Sequence, residues 1–169
     1  NSIFLNNLLG SAKSQIGSHD EAIKIFEFLI KLIPCDANII FNLANSYKRK
    51  GNYRKALETY KQTIRIDSKH IEALNNIGII YKLNGDNKSA LDYFEHALKI
   101  NPKHVEALYN KGKILLAADL AHEAIENFYK ALEIQPNNTK GLCNLARALL
   151  VIGKIAECVN VLEKAIRLN

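Results

Sequence analysis

Three features of the sequence predict an all-α chain of about ten helices in antiparallel pairs. Gly17, Gly51, Gly85 and Gly153 recur at a 34-residue step, with Asp119 in the remaining place. Pro34, Pro102 and Pro136 keep the same period, with Ser68 filling the missing slot. Between these markers the apolar residues follow helical spacing, and period-two alternation of β-branched residues is absent. Five units follow without insertion or deletion: 3–36, 37–70, 71–104, 105–138 and 139–169. One continuous domain is expected.

The unit Ile71–His104 displays the plan most fully. Two short amphipathic helices are joined at Gly85 and stopped at Pro102. A small residue early in each first helix (Gly10, Ala44, Gly78, Gly112, Ala146) lets the second helix approach closely. A second small column, Ala22, Ala56, Ala90, Ala124 and Cys158, does the same from the other side. Four residues on, Phe26, Tyr60, Phe94, Phe128 and Leu162 fall on the buried face. The turn glycine supplies a left-handed C-cap, and the proline ends the second helix. Leu98, Ile100, Leu132 and Ile134 read as core positions.

The end units depart from this plan. In 3–36, Asn6 and Lys13 occupy apolar slots, and Ile3, Phe4, Leu5, Leu8 and Leu9 crowd one helix. In 105–138, Lys111 stands in an apolar column, where a long stem can snorkel. In 139–169 no polar capping helix follows, so Ile155, Val159, Leu162 and Ile166 are expected to leave an apolar face partly open. The expectation is a piece of a longer protein, or an array that self-associates through its ends.

Composition narrows the class. The 169 residues are 48% hydrophobic and 24% charged, enough for a real core. Three cysteines, Cys35, Cys143 and Cys158, form neither an even set nor a CxxC pair, which argues against a disulfide framework or zinc site. A reducing, cytoplasmic setting is expected. No run of about twenty apolar residues occurs, so no membrane insertion is expected, and no leader opens the chain. The net charge of +6 reads as a soluble basic surface or, more sharply, as a surface for an acidic ligand or nucleic acid.

The pattern L/I-G-x2-Y…A-x3-F…A…P resembles the tetratricopeptide repeat over essentially the whole chain. In 71–104 it is carried by Leu74, Ile77, Gly78, Tyr81, Ala90, Phe94, Ala97 and Pro102. The tryptophan frequent in that family's first helix is replaced by leucine or isoleucine. The resemblance implies a right-handed α-solenoid whose first helices line a concave groove that binds peptides or partner proteins.

On that footing the sixth position of each unit faces the groove, and it reads Leu8, Asn42, Asn76, Asn110, Asn144. An asparagine amide both donates and accepts, so it can pair with a peptide backbone without reading side chains. Packed helices lie about 8–10 Å apart and an extended chain advances about 3.3 Å per residue, so one rung meets roughly every third residue. The column resembles the asparagine ladder in the superhelix of O-linked N-acetylglucosamine transferase and in kinesin light chain. An asparagine-rich composition is the plain alternative. Lys48, Arg49, Lys82, Lys113, Lys140 and Arg147 against Glu72 and Glu106 concentrate positive charge on the same face. The expected peptide-binding residues are Asn42, Asn45, Asn76, Asn110, Asn144, Lys48, Arg49, Lys82, Tyr109, Lys113 and Arg147. Leu116, Ala117, Leu150 and Val151 make the far end apolar.

The family's dicarboxylate clamp fits poorly. Asn45 and Asn76 match its asparagines, but Phe41, Glu106 and Asn110 stand where it needs basic residues. No catalytic motif occurs, and an open groove does not exclude water. No enzyme activity, cofactor or metal is expected, and His70 and His104 read as solvent-exposed turn residues. The leading expectation is a protein-interaction scaffold for an extended acidic peptide. Alternatives are the substrate-recognition arm of a larger enzyme, RNA binding and end-to-end self-assembly. RNA binding is disfavoured because related RNA readers keep a 35-residue period.

Overall fold

The computed structural model describes residues 2–168. Among them are ten helices and no strand. They are α1 (Ser2–Gln15), α2 (His19–Leu32), α3 (Ala37–Arg49), α4 (Tyr53–Ile66), α5 (Ile71–Leu83), α6 (Asn87–Ile100), α7 (Val105–Ala117), α8 (Ala121–Ile134), α9 (Thr139–Val151) and α10 (Ile155–Arg167). No helix is long and apolar enough to cross a membrane.

Local chemistry sets the ends of these helices. Gly17, Gly51, Gly85 and Gly153 hold positive φ between +75° and +88°, and Asp119 follows at 60°. The glycine column is thus a left-handed turn column, which Asp119 enters as a non-glycine residue at some cost in strain. Asp36, His70, His104 and Asn138 occupy one further column and act as N-caps. Asp36 Oδ1 accepts from the Asn38 and Ile39 amides at 2.9 and 3.1 Å. His70 Nδ1 accepts from Ala73 at 3.3 Å, His104 Nδ1 from Ala107 at 3.2 Å, and Asn138 Oδ1 from Gly141 at 2.9 Å. Each bond satisfies an amide that the helix itself leaves unpaired. The histidine reading is corrected here. His70 is buried, with its ring 4.5 Å from Phe41, and His104 is half-buried. Among the described residues no side-chain group is arranged to hold a metal.

The chain divides into two compact units, 1–80 and 81–169, with the division inside α5. In the first, α1 packs on α2, α2 on α3 and α3 on α4. Phe26, Leu29, Ile39, Tyr60, Leu74 and Ile77 are fully buried. A Cβ at Gly10 would come within 2.8 Å of the Phe26 ring, so the small column marks a real close approach. In the second unit, α6 packs on α7, α7 on α8, α8 on α9 and α9 on α10. Phe94 and Phe128 are fully buried, and a Cβ at Gly112 would reach Phe128 at 2.5 Å. Burial of each such ring stabilises its unit by about 1.5–3 kcal/mol.

One core reading is corrected. Leu132 is buried and Leu98 and Ile100 are half-buried, but Ile134, the last residue of α8, is exposed. Lys111 behaves as its stem length allows. Its ammonium reaches Glu95 of α6 at 2.8 Å while its stem stays partly covered.

Candidate functional site

In the first unit the candidate residues lie on α3 and α5. Asn42, Asn45 and Arg49 follow the i, i+3, i+7 spacing that puts them on one face of α3. Asn42 donates through Nδ2 to Asn7 Oδ1 on α1 at 3.0 Å. Asn45 Oδ1 accepts from the buried Tyr60 hydroxyl at 2.5 Å and from Asn76 Nδ2 at 3.4 Å. Asn76 Oδ1 in turn accepts from Lys48 Nζ at 2.8 Å, and the Asn76 residue is buried. Asn45 and Asn76 are therefore tied into one network with Lys48 and Tyr60, while Asn42 is held separately by Asn7. Burial, then the neighbouring Arg49 charge, holds the Lys48 ammonium below its usual pKa. Burial pushes the Tyr60 hydroxyl well above its ordinary range. Ser11, Ser14, Gln15, Phe26, Asn42, Asn45 and Arg49 line a hollow of about 120 Å³, whose edge is polar and cationic.

The second unit treats the same columns differently. Tyr109, Asn110 and Lys113 of α7 and Asn144 of α9 converge on a hollow of about 170 Å³. Glu106, Asn138, Lys140 and Gly141 complete its wall. Tyr109 is buried, and its hydroxyl has no hydrogen-bond partner among the described residues. The ring fits because position 141 is glycine, where a Cβ would stand 2.0 Å from the hydroxyl. Burial raises the Tyr109 pKa, so the phenol stays protonated. Lys82 is held below its usual pKa by burial first and then by the charge of Lys113. Arg147 is exposed one turn beyond Asn144, followed by exposed Leu150 and Val151.

Register alone brought Asn45 with Asn76, and Tyr109 with Asn110, Lys113 and Asn144, to common places. Other members were not picked from the sequence. Asn7 shares its column with Phe41, Asn75, Tyr109 and Cys143, and Asn138 is also a helix cap. Lys140 and Glu106 entered only as charges. A search for side-chain amides one residue before each sixth position would have found Asn7 and Asn75.

Four family models of the tetratricopeptide repeat match residues 5–34, 36–103, 78–139 and 127–160. No curated protein sequence matches the chain. Among solved structures, MamA is similar at 22% identity, over 98% of this chain and 91% of that one, with a TM-score of 0.82. MamA 41-end from Desulfovibrio magneticus RS-1 is 17% identical, over 99% and 95%, with a TM-score of 0.84. YrrB, described as a TPR protein with an unusual peptide-binding site, is 19% identical, over 97% and 84%, with a TM-score of 0.75. These likenesses establish the solenoid fold of helix pairs, and the four matched models, which together span residues 5–160, show that the chain belongs to the tetratricopeptide-repeat family.

Proposed function

We propose that the chain is a protein-interaction scaffold that binds an extended acidic peptide across its first helices, with Asn42, Asn76, Asn110 and Asn144 as backbone contacts. The observation that carries this reading is the hollow of the second unit, where Tyr109, Asn110, Lys113 and Asn144 meet beside Lys140. Amides there offer paired donor and acceptor groups, and the lysines favour a carboxylate. Burial first and then the charge of Lys113 hold down the Lys82 pKa, and a bound anion would relieve the repulsion between the two lysines. In the first unit Asn42 and Asn76 already hydrogen-bond within the chain, so a peptide there exchanges partners.

Selection of 12-residue peptides from a display library, longer than the about nine residues that three rung-to-rung steps span, tests the reading. Wild-type protein is expected to enrich acidic sequences. The pair Asn110→Ala with Asn144→Ala is expected to bind them at least about tenfold more weakly, a loss of roughly 1.4 kcal/mol, with unchanged helicity. Equal binding by both proteins, or enrichment of basic peptides, would refute it.

A further inference from the structure

Two neighbouring steps of the first unit share one register and end differently. In the step from α3 to α5, Lys48 crosses over and its Nζ donates to Asn76 Oδ1 at 2.8 Å. In the step from α1 to α3, Ser14 and Asn42 hold the matching positions 34 residues earlier. A serine is too short for that crossing, and its Oγ instead accepts from Ser46 Oγ at 3.2 Å. The space that a lysine fills in one step therefore stays open in the other, as the hollow of about 120 Å³. That hollow is flanked by two helices in contact with each other. Its wall is rich in donors. Ser11 and Ser14 bring hydroxyls, Gln15 and Asn45 bring amides, and the exposed Arg49 brings a guanidinium at the lip. Asn45 is locked, because its Oδ1 accepts from Tyr60 on α4 and Asn76 on α5, so Nδ2 is the end it turns to the hollow. Ser14 is only 6% exposed and is held in place by the fully buried Ser46. Among the described residues no carboxylate lines the hollow, and neither Lys48 nor Arg49 is ion-paired.

We infer that this hollow is a binding site for the phosphoryl group of a phosphorylated side chain in the bound segment. Such a group carries about 1.5–2 negative charges at neutral pH and three strong acceptor oxygens. A carboxylate brings a single charge and two oxygens, a poorer match to a wall with this many donors. The bond to Arg49 is charge-assisted and fixes the group at the lip, with the hydroxyls and amides below it. Lys48, whose ammonium burial and the Arg49 charge both disfavour, gains a neutralising neighbour. The inference rests on the peptide reading in one respect, since Asn42 beside the hollow then holds the backbone of the phosphorylated residue.

NMR titration of residues 1–169 at about pH 7.5, where the phosphate is mostly a dianion, tests this. The probes are N-acetyl-O-phosphoserine methylamide, its serine and glutamate counterparts, inorganic phosphate and a uridine RNA oligonucleotide. The phosphoserine probe is expected to shift the side-chain N–H signals of Gln15, Asn45 and Arg49 saturably. The glutamate counterpart and inorganic phosphate are expected to bind at least about tenfold more weakly. The serine counterpart and the RNA, whose phosphates are diesters, are expected to leave those signals in place. Arg49→Gln, at an exposed site, is expected to weaken the phosphoserine probe at least about tenfold with unchanged helicity. No shift with the phosphoserine probe, or shifts at Asn110 and Asn144 alone, would overturn the inference and leave the acidic-peptide reading standing. Equal affinity for the glutamate probe or for inorganic phosphate would overturn it too, as would RNA shifts at Arg49. Failure of the peptide library to yield acidic binders, with the phosphoserine shifts intact, would refute the acidic-peptide reading and support the phosphoryl site.

Discussion

The two units build the same columns into different surfaces. In residues 1–80 the side-chain amides spend their hydrogen bonds on the protein itself. Asn42 bonds Asn7, and Asn76 lies between Lys48 and Asn45. In residues 81–169 the equivalent amides wall a hollow with Tyr109 and Lys113. The edge residues change too, from Lys48 and Arg49 on α3 to Leu150 and Val151 on α9. The repeated core sets where a side chain points. Its neighbours one helix away decide which groups it meets.

If the units differ only in their polar columns, their cores should respond alike. Phe26→Ala and Phe128→Ala, both at fully buried rings, are each expected to cost about 3–5 kcal/mol in urea unfolding. A much smaller loss in one unit would show that the cores are not equivalent. The next largest effect is local to the second unit. Gly141→Ala drives a Cβ into the Tyr109 ring and is expected to cost about 1–3 kcal/mol, with partial relief when Tyr109→Leu is added. Additive losses in that double-mutant cycle would separate the two residues energetically.

A smaller effect tests the amide contrast. Asn45→Ala strips the acceptor from the buried Tyr60 hydroxyl and is expected to cost about 1–2 kcal/mol. Asn144→Ala is expected to stay within about 0.5 kcal/mol and to act on ligand affinity instead. Equal losses would erase the contrast between Asn45 and Asn144.

The smallest effect is at Tyr47, whose hydroxyl donates to Glu27 at 2.8 Å. Burial first, and then Glu27, push its pKa up to about 12. The folded state thus holds this proton more tightly than the unfolded chain. That contribution to stability is complete below pH 10 and is lost as pH rises through about 12. Tyr47→Phe is expected to cost about 0.5–1.5 kcal/mol at neutral pH and to give a shallower loss of stability above pH 10, read from melting curves across that range.

The turn, small-residue and ring columns were legible because each answers to backbone geometry or to packing that recurs every 34 residues. Even Asp119, the one exception among the turn glycines, takes the left-handed conformation its column predicts. The exposed apolar stripe on α10, Ile155, Val159, Leu162 and Ile166, was legible for the same reason, since its buried counterparts stand one period upstream. His70 was not. Its residue type suits a wet turn, and only the Phe41 ring packed beside it and the Ala73 amide above it make it a buried cap. The site was half legible. Register placed Asn42, Asn76, Asn110 and Asn144 in one column but was silent on Asn7, on the reach of Lys48 and on the fit of Tyr109 against Gly141.

What the sequence determined by itself is the helix-pair plan: turn positions, close-approach columns, ring positions and the exposed ends. These follow from the 3.6-residue helical period and from steric rules acting within a few residues. What only the tertiary structure decided is the state of each polar group on the first helices. A side-chain hydrogen bond forms or fails over a few tenths of an ångström between neighbouring helices, and no periodicity along the chain specifies that distance.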